Sequence, residues 1–213
     1  MSVMRGMRDE LLSMMRLHYR DTIKMVFDRN ETTYSKTEKD SLLFGRVDSP
    51  VENLVNEYLE GRRPLLTGVS AVISRRIGSV ISEARDEGLS LPEISRRIRN
   101  TIPAFTAVRA ALISRTETHN AASWANDRYH TDLAGELDIE MMKQWVSVAD
   151  GRTRAEHRAA NGQRVGVNEK FTLSHPQLGT VEMKHPGDPD GTVYHVVNCR
   201  CVVMYGDQED FED

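Results

Sequence analysis

The sequence predicts an α+β fold, with a long helical N-terminal arm followed by a small C-terminal α+β domain of short antiparallel strands. Two observations predict this class. Apolar residues recur at helical spacing through most of residues 1–134, interrupted by Gly and Pro signals. From residue 135 the pattern changes to short apolar runs, separated by loops rich in Pro, Gly and Asp. We therefore expect a helical arm or bundle at 1–134, the α+β domain at 135–205 and an acidic, frayed tail at 206–213.

Several helices are predicted within the arm. Methionine and leucine at helical spacing predict a helix over residues 1–30. A second helix begins at the sequence DSPVE, which offers a capping side chain and a first-turn proline, and it ends at Gly61. Further apolar patterns predict helices at 68–87 and 104–134.

Short strands and turns are predicted for the C-terminal domain. The run QWVSV within residues 138–149 predicts the first strand, and a short helix is expected at 153–160. Asn161-Gly162 is a tight-turn signal. Further strands are predicted at 163–167, 171–173, 181–183 and 196–204.

The composition is that of an ordinary soluble protein. The 213 residues are 39% hydrophobic and 28% charged, and the formal net charge is -4. No apolar run approaches the ~18–20 residues that span a bilayer, and the N-terminus lacks the continuous apolar core of a secretory signal. Two cysteines do not make a disulfide framework. We therefore expect synthesis in a reducing cytoplasm and no membrane partner.

Charge is distributed unevenly along the chain. Residues 1–130 carry a net charge of +3 and residues 131–213 a net charge of -7, while 62–115 contains 10 basic and 4 acidic residues. Such a basic stretch would attract double-stranded DNA non-specifically, since no base-reading motif accompanies it. The alternative is that its arginines are solvated faces of amphipathic helices. The candidate DNA contacts are Arg75, Arg76, Arg96 and Arg97.

Three stretches of the C-terminal domain are dense in chemically able side chains: ADGRTRAEH, HPGDPDG and NCRC. None of them matches a phosphate loop, a dinucleotide-binding turn, a HExxH helix or a GxSxG elbow. One interpretation is a structural polar cluster that fixes a small domain with a thin core. Its members would be Asp150, Arg152, Thr153, His157, His185, Asp188, Asn198, Cys199 and Cys201.

Specific contacts are expected within this cluster. Asp150 and Arg152 flank a glycine, as in a turn held by a carboxylate–guanidinium pair. Thr153 can cap the helix that carries His157, and the Asn198 side chain can bond backbone groups of its own loop. The Asp residues of HPGDPDG would bond amides of their own turn.

The only two cysteines of the chain lie one residue apart, at Cys199 and Cys201. On a strand both would point the same way, and with His157 or His185 alongside they could supply three or four zinc ligands. The alternative is two buried thiols packed as small apolar residues without a metal. A cysteine nucleophile would need an electropositive setting, whereas Arg200 is expected on the opposite strand face. We expect no cofactor, with zinc as the alternative.

The helical stretch RTETHNAA, residues 115–122, has two interpretations. Arg115 and Glu117 could bond the C-terminal domain and so tie the arm to it. The polar side chains of this stretch could equally be solvated helix positions.

Four stretches, taken in order, resemble the phage Mu F-like minor head protein domain: ISRTET (113–118), KQWVSVADGRTRAEHRAANGQ (143–163), KHPGDPDG (184–191) and VVNCRC (196–201). The resemblance covers about residues 105–203 and does not include most of the arm. Members of this family are minor components of tailed-phage heads that associate with the portal and are linked to DNA handling. The resemblance implies no cysteine chemistry.

The resemblance implies a structural virion protein, not an enzyme, that acts in head morphogenesis and lies in the head interior near the portal after synthesis in the host cytoplasm. Its expected partners are the portal protein and the major capsid protein, with the helical arm as docking element, and packaged DNA. The alternative from the residues is a small nuclease or transferase that uses His157 and Arg152 with Asp150 or Glu156.

Overall fold

A computed structural model of the chain describes residues 16, 18–33, 51–61, 83, 86–90, 93 and 107–211. The predicted helix at 68–87 lies almost entirely outside the described residues. The four candidate DNA contacts, Arg75, Arg76, Arg96 and Arg97, also lie outside them.

Helices form the N-terminal part of the described chain. Residues 18–33 and 51–61 are helical, and the longest helix is α1, Ala107–Leu137. The α+β class with a helical N-terminal part is therefore confirmed. No helix in the described ranges is both long and apolar enough to cross a membrane.

Two small antiparallel sheets and three short helices make up the C-terminal part. The strands are β1, Met142–Val146; β2, Arg164–Gly166; β3, Phe171–His175; β4, Gly179–Met183; and β5, Val202–Gly206. The helices are α2, Ala155–Ala159; α3, Val193–Val196; and a 3₁₀ turn, Glu209–Phe211. One sheet has the order β2-β1-β5, and β3 pairs with β4 in the other.

The predicted strand at 196–204 is wrong in its first half. Residues Val193–Val196 form α3, and Asn198 then adopts a left-handed conformation with φ 56°. Asn tolerates that region better than most residues, so the chain turns there and extended pairing begins only at Val202. An apolar run of this length fits a short helix as well as a strand, because periodicity does not separate the two.

The expectation of a frayed tail is wrong as far as residue 211. Phe211 is buried, and the Arg164 guanidinium lies 5.5 Å from the centre of its ring. Asp207 and Asp210 each accept a hydrogen bond from the other's backbone N–H at 3.0 Å. The acidic side chains therefore shape a turn that returns an aromatic ring to the sheet.

The described residues form two hydrophobic cores. The arm core joins both N-terminal helical segments to α1 and also takes in two residues of the C-terminal part. Its members are Tyr19, Ile23, Phe27, Leu54, Val55, Tyr58, Ala121, Ala125, Tyr129, Leu133, Ala134, Met141 and Val167. The domain core joins the two sheets: Trp145, Phe171, Leu173, Met183, Val196, Cys199 and Cys201. Helix α1 meets the C-terminal domain through Met141, Val167 and Tyr205, which pack in or against the arm core, and through polar contacts on another face.

A buried ion pair links α1 to the three-stranded sheet. Lys143 on β1 is fully buried, and its Nζ lies 2.9 Å from Oδ1 of Asp127 on α1. Tyr205 on β5 donates its hydroxyl to the same oxygen at 3.2 Å, and the His130 ring stacks on Tyr205 at 3.9 Å. Burial is the main cause that lowers the pKa of Lys143, and Asp127 opposes it. The pair therefore depends on both partners being present.

We predict that Asp127→Ala lowers the free energy of unfolding by about 3–5 kcal/mol, because it leaves a buried ammonium without its counter-charge. The matched control is Asp190→Ala. The Asp190 carboxylate lies a similar 2.8 Å from Lys170 Nζ, but both side chains of this pair are at the surface. That control should cost at most about 1 kcal/mol. Urea unfolding of both variants measures the difference, and equal losses would contradict the role given to Asp127.

Candidate functional site

The two cysteines and one histidine meet in the domain core. The His157 Nδ1 atom lies 3.5 Å from Sγ of Cys199 and 3.5 Å from Sγ of Cys201. All three side chains are buried, and their donor atoms lie within 4.8 Å of one another. We call this set the His–Cys cluster. His185, the other candidate zinc ligand, is not part of it.

Local backbone geometry brings these side chains together. His157 lies on the buried side of α2, while the cysteines flank Arg200 in the segment between α3 and β5. The turn at Asn198 is fixed because its N–H donates to Thr116 Oγ1 on α1 at 3.0 Å. Arg154 adds a hydrogen bond from its guanidinium to the Val197 carbonyl at 2.7 Å. Asn198 thus acts through its backbone and not, as expected, through its side chain.

Packing holds the His157 ring in one orientation. Trp145 meets it edge-on at 5.6 Å between ring centres, and His195 lies parallel to it at 6.1 Å. The His157 Nε2 faces Oε1 of Glu156 at 3.9 Å. Within the described part of the chain, neither of these two buried atoms has a hydrogen-bond partner.

The two thiols shift each other's pKa in opposite directions. The pKa of Cys201 is lowered to about 5, first because the Cys199 thiol can donate to its sulfur, with burial opposing and His157 assisting. The same interaction raises the pKa of Cys199, and burial raises it further. One sulfur of the pair is therefore predisposed to be a thiolate.

Arg200, which lies between the two cysteines in sequence, forms a bidentate ion pair with Asp150. Both Arg200 Nη atoms lie 2.7 Å from Asp150 oxygens. This contact is the main reason why the pKa of Asp150 is held well below its usual range. The predicted Asp150–Arg152 pair is weaker than expected, at 3.4 Å with the Arg152 side chain 82% exposed.

Thr153 does not cap α2, because the cap position is Arg154 and has no side-chain cap bond. Its hydroxyl instead contacts the Val148 carbonyl and, at 3.2 Å, Asp150. Thr153 and Asp150 thus hold the chain between β1 and α2 by local bonds, which keeps α2 beside the cysteines. A shallow cavity of about 20 Å³ remains there, lined by Val148, Arg152, Thr153, Arg154, His157, Asn198, Cys199, Arg200 and Cys201.

The HPGDPDG loop forms a separate polar centre. Asp188 is buried and accepts hydrogen bonds from the Lys184 N–H at 2.6 Å and the Asp190 N–H at 3.0 Å. Asp188 thus bonds an amide of its own turn, as expected, whereas the Asp190 carboxylate pairs with Lys170 at 2.8 Å. Gly187 has φ 84°, and a Cβ there would lie 2.0 Å from Oδ1 of Asn120 on α1, so only glycine fits.

The stretch RTETHNAA faces both halves of the protein. Thr116 bonds the turn at Asn198, while Glu117 accepts a hydrogen bond from Tyr19 of the arm at 2.7 Å. Arg115 is exposed. The tie to the C-terminal domain therefore comes from the buried Thr116 and Asn120 and not from the predicted Arg115 and Glu117. Burial, together with the charge of His185, lowers the pKa of His119 in this stretch to about 4.

The predicted polar cluster is thus two groups. His157, Cys199 and Cys201 lie together with Arg152, Thr153 and Asn198 around one cavity, and Asp150 contacts Thr153 and Arg200 beside it. His185 and Asp188 belong to the HPGDPDG loop beside α1. His195 as neighbour of His157 and Arg200 as partner of Asp150 were not predicted. No local pattern signals these contacts, because each joins residues at least 38 positions apart in sequence.

Comparisons with known proteins give two relatives and one family. The chain is 26% identical over 206 residues to the minor head protein GP7 of Bacillus phage SPP1, which covers 88% of this chain and 63% of that protein. It is 29% identical over 157 residues to the NAD(+)–arginine ADP-ribosyltransferase EFV of Enterococcus faecalis (strain ATCC 700802 / V583), covering 72% of this chain and 30% of that protein. The chain thus spans less than two thirds of the length of either relative.

No solved structure gives a significant match to the chain. The model of the family described as phage Mu protein F like protein matches residues 75–204. That range is more than half of the chain and contains the His–Cys cluster, the Asp150–Arg200 pair and the HPGDPDG loop. The chain therefore belongs to the phage Mu protein F like family of minor head proteins.

Proposed function

We propose that this chain is a structural component of a tailed-phage head that acts in head morphogenesis, with the portal and major capsid proteins as partners. One observation carries the proposal: the similarity to a phage minor head protein runs over 88% of this chain, and so includes arm and domain together. The proposed location is the head interior near the portal.

The packing of the arm supports an architectural role. The helical segments at 18–33 and 51–61 are held on α1 by the arm core and by polar contacts. Arg128 of α1 contacts Glu57 at 3.3 Å, and Asn30 donates to Asn126 at 2.9 Å. An arm fixed in this way can present a defined surface to a partner without losing much conformational entropy on binding.

The enzyme alternative lacks support from the geometry. Asp150 is engaged by Arg200, and the Nδ1 atom of His157 faces two sulfurs. Arg152 points into solvent, and Glu156 is buried. The transferase relative has about 70% of its length outside the match. We assign no reaction to this chain.

We also propose that the basic stretch 62–115, with its net charge of +6, contacts packaged DNA. Its support is the charge of the sequence together with the head location proposed above. Such contacts would be made to phosphates and would be independent of base sequence.

We predict that heads assembled in the presence of this chain retain it at far lower copy number than the major capsid protein. Quantitative mass spectrometry of purified heads measures this number.

The docking element is tested by a matched pair of charge insertions, Met25→Glu on the arm and Val193→Glu on α3. These residues are about equally exposed, at 60% and 62%.

If the arm docks, Met25→Glu should lower retention by about tenfold, which corresponds to about 1.4 kcal/mol, and Val193→Glu should leave it unchanged. Deleting residues 1–60 would be a poorer test, because it would remove Tyr19, Ile23 and Phe27 from the arm core. Absence of the wild-type chain from heads would contradict the proposal, and an effect of Val193→Glu alone would place docking on the domain.

We predict that changing Arg75, Arg76, Arg96 and Arg97 together to Gln weakens DNA binding. The slope of log K against log salt concentration should become shallower by up to about 0.9 for each lost phosphate contact. A control with the same change in charge replaces Arg20, Lys24, Arg152 and Lys170 by Gln. Filter binding at several salt concentrations gives both slopes. A slope that is unchanged in the first variant would contradict the DNA proposal.

A further inference from the structure

We propose that His157, Cys199 and Cys201 bind one Zn²⁺ ion through Nδ1 and the two sulfurs, with the fourth coordination position directed to the cavity beside them. The ion would act as a structural staple of the C-terminal domain.

The distances between the donor atoms fit this ion. With Zn–S of about 2.3 Å and Zn–N of about 2.0–2.1 Å, a tetrahedral site requires about 3.6 Å between a sulfur and a nitrogen ligand. Both His157–cysteine distances are 3.5 Å. The sulfurs lie within 4.8 Å of each other, where a tetrahedral site requires about 3.8 Å. A zinc ion could therefore enter with only small side-chain movements.

The chemistry of the donors also favours zinc. Two thiolates with one imidazole form a soft set that suits zinc better than magnesium or calcium, which take oxygen ligands. Two thiolates would balance the charge of the ion, so the buried site would carry no net charge. The alternative is that the two cysteines only fill space in the core. That role does not require the His157 Nδ1 to lie at the same distance from both sulfurs.

The surroundings of His157 match those of a zinc-bound histidine. Coordination through Nδ1 requires the proton on Nε2, and that atom faces the Glu156 carboxylate at 3.9 Å. A carboxylate behind a coordinating imidazole fixes its tautomer and its orientation. Trp145 and His195 hold the ring from its edge and its face. A closer approach of the Nε2–H to the Glu156 carboxylate would give a hydrogen-bond partner to two buried atoms that have none among the described residues.

The fourth position would be filled by water or by a small ligand. The cavity of about 20 Å³ next to the cluster has room for about one water molecule. His185 does not supply this ligand, because it is held in the HPGDPDG loop, where its Nδ1 lies 3.1 Å from the Pro186 carbonyl.

A staple at this point joins distant parts of the chain. His157 is 42 residues from Cys199 in sequence, and it approaches from α2, while the cysteines lead into β5. Zinc binds the folded arrangement and not the unfolded chain, so its binding free energy adds to stability. A domain of this size, with a small core, would gain most from such a link.

The test uses the full-length chain with Zn²⁺ and, separately, Co²⁺ as probes. We expect one zinc per chain, protection of both thiols from alkylation until a chelator is added, and a higher unfolding temperature with zinc. Bound Co²⁺ should show tetrahedral ligand-field bands and a sulfur-to-cobalt charge-transfer band. Absence of metal uptake, with both thiols reactive after unfolding, would overturn the proposal.

Variants assign the ligands. In Cys199→Ser and in Cys201→Ser the charge-transfer band should lose the share of one thiolate, and His157→Ala should weaken zinc binding. The control is His175→Ala, which removes a histidine outside the cluster and should change none of these readouts. If a variant fails to fold, the cobalt spectrum of the wild-type chain still tests whether thiolates bind the metal. Zinc retained in both serine variants with an unchanged spectrum would overturn the assignment.

Discussion

One helix, α1, is buried on two faces, and the rest of the structure depends on this constraint. One face carries Trp124 and Tyr129 into the arm core, with Glu117 bonded to Tyr19. The other face carries Thr116, Asn120 and Asp127 toward the C-terminal domain. The first face meets apolar side chains, among them Met141 and Val167 of the C-terminal part, and the second meets mainly polar groups. Arm and domain therefore cannot separate without exposing apolar surface and breaking buried polar contacts.

The stretches that carry the family resemblance converge on this second face. Thr116 of the first stretch holds the turn before Cys199, and Asn120 packs against Gly187 of the HPGDPDG loop. Lys143 begins the second stretch and pairs with Asp127. The His–Cys cluster lies in the domain core, next to the turn that Thr116 holds. Several contacts of these stretches therefore fix the C-terminal domain on α1.

The sequence predicted those features that depend on neighbouring residues. Helical periodicity predicted α1, and short apolar runs between turn signals predicted β1 to β4 and the turn at Gly162. The pairing of His157 with the two cysteines was one of two alternatives that composition left open. What failed depended on distant contacts: the turn at Asn198 is held by Thr116, 82 residues away, and Asp150 is held by Arg200, 50 residues away. Periodicity within a short window carries no information on such pairs.

The coupling of the two cores through α1 is the central claim, and the two tryptophans of the chain can test it. Trp124 packs on Tyr58 in the arm core at 5.3 Å between ring centres, while Trp145 is fully buried in the domain core. The variants Trp124→Phe and Trp145→Phe each leave one reporter. Urea unfolding followed by fluorescence and by circular dichroism should give coincident transitions within each variant, as for a single cooperative unit. A fluorescence transition of Trp124 well separated from the loss of the remaining secondary structure would contradict the account.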